Sequence, residues 1–222
     1  MKVTLITHTP EPEKIIASAA KLCYSSSDIE SLMKGLTTNK IEAFIKKLTD
    51  LGHQSPLEHC TFTFGIEGVS RSLLAQTTRH RIASYSVKSQ RYVKEKQFEY
   101  ITPPTILENE YLKVKYSTLM KKLQEFYDCA IEEGVPAEDA RFILPNACET
   151  KIIMTMNIRS LLHFFEERCC ERAQWEIRQV ADAMLYMCKE VAPNLFAKAG
   201  ASCVRGKCKE GAMCCGNPKG GR

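Results

Sequence analysis

No apolar run in this sequence approaches the roughly 20 residues that a membrane-spanning helix needs. The opening MKVTLITHTPEPEK offers only a four-residue apolar run, too short for a secretory h-region. Internal repeats and long linkers are absent too, which excludes solenoids and beads of small domains. A third absence is local. From Gly68 to Lys94 there is no Asp or Glu, while Arg71, Arg79, Arg81, Lys88, Arg91 and Lys94 are all cationic. These observations together predict a cytoplasmic protein with no membrane partner, and they leave a charge to be cancelled.

What is present suits a folded enzyme-sized domain. The chain has 222 residues, 44% hydrophobic and 26% charged, enough to bury a substantial core. The net charge of +5 is confined to the end. From Lys198 onward six cations face the single acid Glu210, and the preceding 197 residues balance at 25 cations and 25 acids. A basic surface of the kind that drives non-specific nucleic-acid binding is not indicated. Of eleven cysteines, Cys23, Cys60, Cys129, Cys148, Cys169, Cys170 and Cys188 are scattered through patterned segments, where reduced thiols act as small hydrophobes. The other four, Cys203, Cys208, Cys214 and Cys215, crowd the end. Their spacing suits a zinc ribbon poorly, so no metal is expected. Residues 200–222 read as a Cys-rich basic tail without packed structure. An accessory metal or redox site is the alternative.

Periodicity predicts strands over 2–7, 60–69 (CTFTFGIEGV) and the segment ETKIIMTMNI. It predicts helices after Pro12, over 38–51 ending at Gly52, from the cap Ser70 into SRSLLAQTTRH, and over 108–133 ending at Gly134. A shorter one follows in PAEDARFIL, and a long helical stretch from Arg159 breaks near Arg172. The result is one α/β or α+β domain over 1–199 with more helix than strand.

The acid-free window centres on RHRIASYSVKSQR, Arg79 to Arg91. A cationic run is often only a solvated face. Here Arg outnumbers Lys, and the guanidinium fork binds phosphate or carboxylate in two places at once. Ser84, Ser86 and Ser89 add hydroxyl donors suited to phosphate oxygens. The segment therefore reads as a pocket for multiply charged small anions such as nucleotides. Farther on, Arg159 and His163 lie four apart on one helix face, and Arg168 lies roughly opposite. One helix with two functional faces suits a place where subunits meet.

RHRIASYSVKSQR resembles the signature of the flavin-dependent thymidylate synthases: R-H-R, two residues, S, four residues, S, one residue, R. HQSPLEH with the following TFTF, ARFILPN, MNIRSLLHFFEER and AQWEIR resemble the flanking blocks, so the likeness covers about residues 1–197. It implies an α+β fold, helix-rich, with a central mainly antiparallel sheet flanked by helices, in a single domain that forms a homotetramer with shared active sites. It implies reductive methylation of dUMP to dTMP, with FAD as cofactor and with 5,10-methylenetetrahydrofolate and NADPH as co-substrates. Under the resemblance, Ser55, Arg79, His80, Arg81, Asn157, Arg159 and His163 match cofactor-binding positions, with His163 standing where asparagine is usual. Gln76, Arg79, Ser89, Gln90, Arg91, Arg141 and Arg168 match positions around dUMP. Arg91 and Arg141 would hold its phosphate, and Arg168 would be the catalytic arginine that activates the uracil ring. Ser86 and Val87 stand where Asn-Glu is common, which removes the only acid from the segment. Ser89 reads as a hydrogen-bonding residue, because no base adjoins it. The rivals are a basic nucleic-acid-binding module and a phosphate-ester enzyme that uses no flavin.

Overall fold

Alternating and helical apolar patterns become four strands and ten α-helices among the residues described in the computed structural model, 1–95 and 97–219. The last three residues of the tail, 220–222, lie outside them. In chain order the elements are β1 (Lys2–His8), α1 (Pro12–Leu22), α2 (Ile29–Lys34), α3 (Thr38–Asp50), β2 (Thr61–Ser70), α4 (Arg71–Thr77), β3 (Ser84–Val87) and α5 (Pro104–Leu107). They continue with α6 (Glu110–Glu132), α7 (Ala137–Ala140), β4 (Glu149–Asn157), α8 (Ile158–Arg168), α9 (Trp175–Val191) and α10 (Pro193–Phe196). The strands form one antiparallel sheet in the order β1-β2-β4-β3. The helix-rich α+β expectation is met. Four elements escaped the sequence reading: β3, which lies inside the basic segment, and the short helices α2, α5 and α10.

By internal packing the chain forms two compact units that alternate along the sequence. The first comprises 1–2, 66–79 and 86–153; the second comprises 3–65, 80–85 and 154–222. Four of the five boundaries fall within strands, and the fifth, at 79/80, follows α4.

In the first unit, Phe98, Met120 and Cys148 are buried together, with Tyr100, Tyr116, Leu123 and Leu144 packed on them. Helix α6 supplies Met120 and Leu123 from one face and ends, as its sequence predicts, at Gly134 with φ 86°. Gly68 bends the end of β2. Its φ is +67°, a Cβ there would meet the Met1 backbone at 3.1 Å, and its N–H donates to the buried Glu149 carboxylate at 3.0 Å. The Ser70 hydroxyl accepts from Leu73 N at 3.1 Å and starts α4.

The second unit is built on phenylalanine. Phe62 and Phe64 point inward from β2, Phe164 and Phe165 from α8, and Phe196 from α10, all fully buried. Phe62 and Phe165 both meet Phe196 edge-on, with centroids 5.7 and 6.1 Å away. Truncating any one to Ala would cost ~3–5 kcal/mol. Helix α8 is capped by Asn157, whose side chain accepts from Ser160 N at 2.8 Å. It packs on α9 and on the turn Ser55–His59. The break between α8 and α9, at residues 169–174, falls where the sequence predicts it. Cys60, Cys148, Cys169 and Cys188 behave as buried small hydrophobes, whereas Cys23 and Cys129 are exposed.

Candidate active site

The acid-free segment is cancelled in part by acids from outside it. In the first unit Lys88 pairs with Glu95 at 2.9 Å; that carboxylate sits one residue past the window and is only 5% exposed. Arg91 Nε pairs with the Glu138 carboxylate at 2.6 Å. Arg141 Nε donates to the backbone carbonyl of the same Glu138 at 3.0 Å. Two guanidiniums 50 residues apart in the chain thus meet at one residue at the start of α7. The Ser89 hydroxyl accepts from Arg91 N at 3.2 Å and so shapes the turn that carries Arg91. Gln76, on α4, donates to Ser72 O at 3.4 Å.

Gln90 is placed differently from its expected role. Its side chain is 6% exposed and donates to the buried Cys148 thiol at 3.4 Å, so it faces the interior of the unit and not a ligand. Burial pushes that thiol up to about 11, which keeps it an uncharged packing group.

In the second unit six of the remaining candidates, Ser55, His80, Asn157, Arg159, His163 and Arg168, fall around two points. At the first, Arg159 on α8 pairs with Glu58 at 2.5 Å and donates to Gln54 at 3.2 Å, which puts it beside the turn that begins with Ser55. Asn157 uses its amide oxygen as the helix cap and retains only its N–H₂ for a ligand. At the second point, Arg168, the last residue of α8, donates from Nε to His80 Nε2 at 3.0 Å. The His163 ring lies 5.8 Å from the His80 ring, at 63° to it, and Phe164 meets it edge-on at 4.9 Å. The Tyr85 hydroxyl donates to the His80 carbonyl at 2.9 Å and fixes the backbone there. Burial, then the charges of Arg168 and His163, lower the His80 pKa to about 4. A neutral form favoured on folding makes stability rise with pH. The unfolded chain takes up a proton near pH 6.5 and the folded one only near 4, so stability is lost as pH falls between those values.

The helix wheel misplaced Arg168. His163 and Arg168 converge on His80, and Arg159 goes elsewhere. Arg79 and Arg81, on either side of His80 in the sequence, are exposed, and their side chains make no hydrogen bond or ion pair among the described residues. Glu138, Glu95, Glu58, Gln54 and Tyr85 went unnoticed in the sequence. Only Glu95 had a local signal, as the first acid after the window.

Residues 200–219 of the tail carry two 3-10 turns, Ser202–Arg205 and Gly211–Met213. Arg205 and Lys209 both pair with Glu166 on α8, and Lys219 pairs with Glu171 and Asp182. Burial alone would raise the Glu166 pKa; the two cations outweigh it and lower it. Among the described residues no three His, Cys, Asp or Glu side chains are grouped to hold a metal ion, and no helix is long and apolar enough to cross a membrane.

The family profile described as thymidylate synthase complementing protein (Thy1) matches residues 4–194. The chain belongs to the flavin-dependent thymidylate synthase family. It is 52% identical to the flavin-dependent thymidylate synthase of Clostridium tetani, over 97% of this chain and 93% of that one. It is 51% identical to the Geobacter sulfurreducens enzyme of the same name, over 97% and 94%. The Nitratidesulfovibrio vulgaris relative, named likewise, is 48% identical over 95% and 91%. A basic nucleic-acid module and a flavin-free phosphate-ester enzyme give way to this family.

Proposed function

We propose that the protein is a flavin-dependent thymidylate synthase. It converts dUMP to dTMP with 5,10-methylenetetrahydrofolate as the one-carbon donor and NADPH as the reductant, and it works as a homotetramer whose active sites are shared between subunits. The observation that carries this reading is the signature's charge. The side chains of Arg79 and Arg81 have no protein partner among the described residues, and in the sequence they flank an imidazole that is kept neutral. An uncancelled pair of guanidiniums suits a diphosphate, so the side chains present fit FAD. Arg79, Arg81 and Arg159 would take its charged part, and Ser55, Asn157, His80 and His163 would supply polar contacts. FAD, when bound, supplies the hydride chemistry.

The remaining work belongs to the chain. Arg91 and Arg141, which already meet at Glu138, bind the dUMP phosphate as it displaces that carboxylate. The Arg91–Glu138 pair is open to water, at 55% and 46% side-chain exposure, so its loss costs little. Ser89 holds the turn that aims Arg91, and Gln76 lines the approach from α4. Arg168 lies against the uracil ring and favours the polarised, N3-deprotonated form that accepts the one-carbon unit, as a preorganised charge does for a developing anion. Gln90 acts through its backbone, since its side chain is committed to Cys148.

Tritium release from 5-tritiated dUMP tests the reading. Flavin-loaded protein supplied with folate and NADPH should release tritium at the rate at which dTMP forms. Flavin-loaded protein that binds dUMP and releases none overturns it.

A further inference from the structure

We infer that His80 is a positioning residue for Arg168: its Nε2 lone pair holds the guanidinium by Nε, and the His163 and Phe164 rings hold the imidazole. The inference rests on the reading that Arg168 acts on the uracil ring.

Arginine has only donors. The 3.0 Å contact from Arg168 Nε to His80 Nε2 therefore requires a lone pair on Nε2, and a neutral imidazole with that lone pair carries its proton on Nδ1. An imidazolium has no lone pair to offer and would repel the guanidinium. The contact thus specifies one tautomer and one charge state. Two charged or titratable side chains face the ring, Arg168 and His163, and both oppose its protonation; Phe164 packs edge-on against it. The Tyr85 hydroxyl on the His80 carbonyl holds the backbone from which the ring projects.

The choice of acceptor matters. Arg168 ends α8 on a rotamer-rich side chain, and something has to fix its plane. A carboxylate would do so and cancel its charge; a neutral imidazole does so and leaves the charge intact. With Nε–H engaged, the two Nη groups form a free edge with four N–H donors in one plane. That edge matches the N3 and carbonyl side of a pyrimidine. His163, a departure from the asparagine usual in the family, packs against the acceptor.

The first test needs no turnover. The protein has five histidines, so ¹⁵N-histidine-labelled holoenzyme gives a tractable imidazole spectrum, with the His80 signals assigned by their loss in His80→Gln. The expected result is a neutral Nδ1–H tautomer that titrates near pH 4, with the midpoint shifted upward in Arg168→Ala. An Nε2–H tautomer, or a midpoint that Arg168→Ala leaves unmoved, overturns the inference.

The second test uses rates per bound flavin. His80→Leu should lower kcat about 10²-fold, with the dUMP KM within a few fold of wild type. His80→Gln, whose amide oxygen can accept from Arg168, should recover about tenfold of that loss. Equal kcat in the two variants, or a loss confined to KM, overturns it. If His80→Leu does not fold, the spectrum and the Gln variant still decide. Wild-type holoenzyme that releases no tritium from 5-tritiated dUMP sinks the functional reading alone, and the tautomer measurement then judges the contact by itself.

Discussion

The two units each hold an arginine assigned to dUMP, and they hold Arg91 and Arg168 in opposite ways. In the first, Arg91 rests on the Glu138 carboxylate and Lys88 on Glu95. In the second, Arg168 rests on a neutral imidazole, and Arg81 has no partner among the described residues. A cation that must exchange its partner for a phosphate can wait on an exposed carboxylate, because a half-solvated pair is worth at most about 1 kcal/mol and a dianion outbids it. A cation that must polarise a neutral ring loses its purpose once a carboxylate cancels it. Arg159, which pairs with Glu58 and Gln54 in the second unit, follows the first pattern and is assigned to an anion accordingly.

The largest effect that breaks this comparison is Arg168→Ala. Loss of a guanidinium held on a neutral acceptor should lower kcat by about 10²–10³ or more, with the circular dichroism spectrum and the dUMP affinity little changed. Retained turnover would mean that the neutral acceptor serves packing alone. Arg91→Ala should act in the other register. Removing a charge-assisted phosphate contact costs ~1.5–3 kcal/mol, so dUMP binding should weaken about 10- to 100-fold while kcat at saturation holds. Loss of kcat without loss of affinity would place Arg91 at the ring instead.

Glu138→Gln sharpens the contrast further. If the carboxylate only occupies Arg91 until the phosphate arrives, neutralising it should tighten dUMP binding by a few fold, in line with an exposed pair worth ~0.2–1 kcal/mol. The gain should fade as salt rises. Weaker binding would make Glu138 an organiser of Arg91 and Arg141 rather than a placeholder. Titration calorimetry of the variant and the wild type at two ionic strengths separates these outcomes.

Much of the frame was legible in the sequence because its signals are local. Ser70 before an apolar helix, Gly134 after one, and Phe62, Phe64 and Ile66 alternating in β2 each act within a few residues. Strand β3 was hidden in plain view. Ser84 and Ser86 are exposed and Tyr85 and Val87 half-buried, a period of two that the charge of the neighbouring residues masked. The site was legible by residue type and not by partnership. Arg91 and Glu138 are 47 positions apart, and no local pattern joins them. Arg168 was placed opposite Arg159 because a wheel gives the direction of Cβ. A long side chain at a helix terminus ends elsewhere, and here it turns back to the ring that His163 also touches. Gln90 is the opposite case: a polar side chain inside a signature is spent on the interior, against Cys148, 58 positions away.

The smallest effect concerns the tail, where the second unit gathers charge with no ligand in view. Glu166 on α8 is shared by Arg205 and Lys209, and Lys219 reaches Glu171 and Asp182. A chain ended after Gly206 keeps the buried Ala201 and Cys203 and the Arg205 pair, and it loses the other three contacts along with Cys208, Cys214 and Cys215. Surface pairs contribute about 0–1 kcal/mol each, so the melting temperature should fall by only a few degrees at most, and turnover should stay within about twofold of the full chain. Zinc measured per chain should be absent from both forms, because no three ligands are grouped among the described residues. Stoichiometric zinc in the full chain that disappears on shortening would show that the thiols regroup around a metal. The tail ion pairs would then be the minor part of what holds that segment to α8.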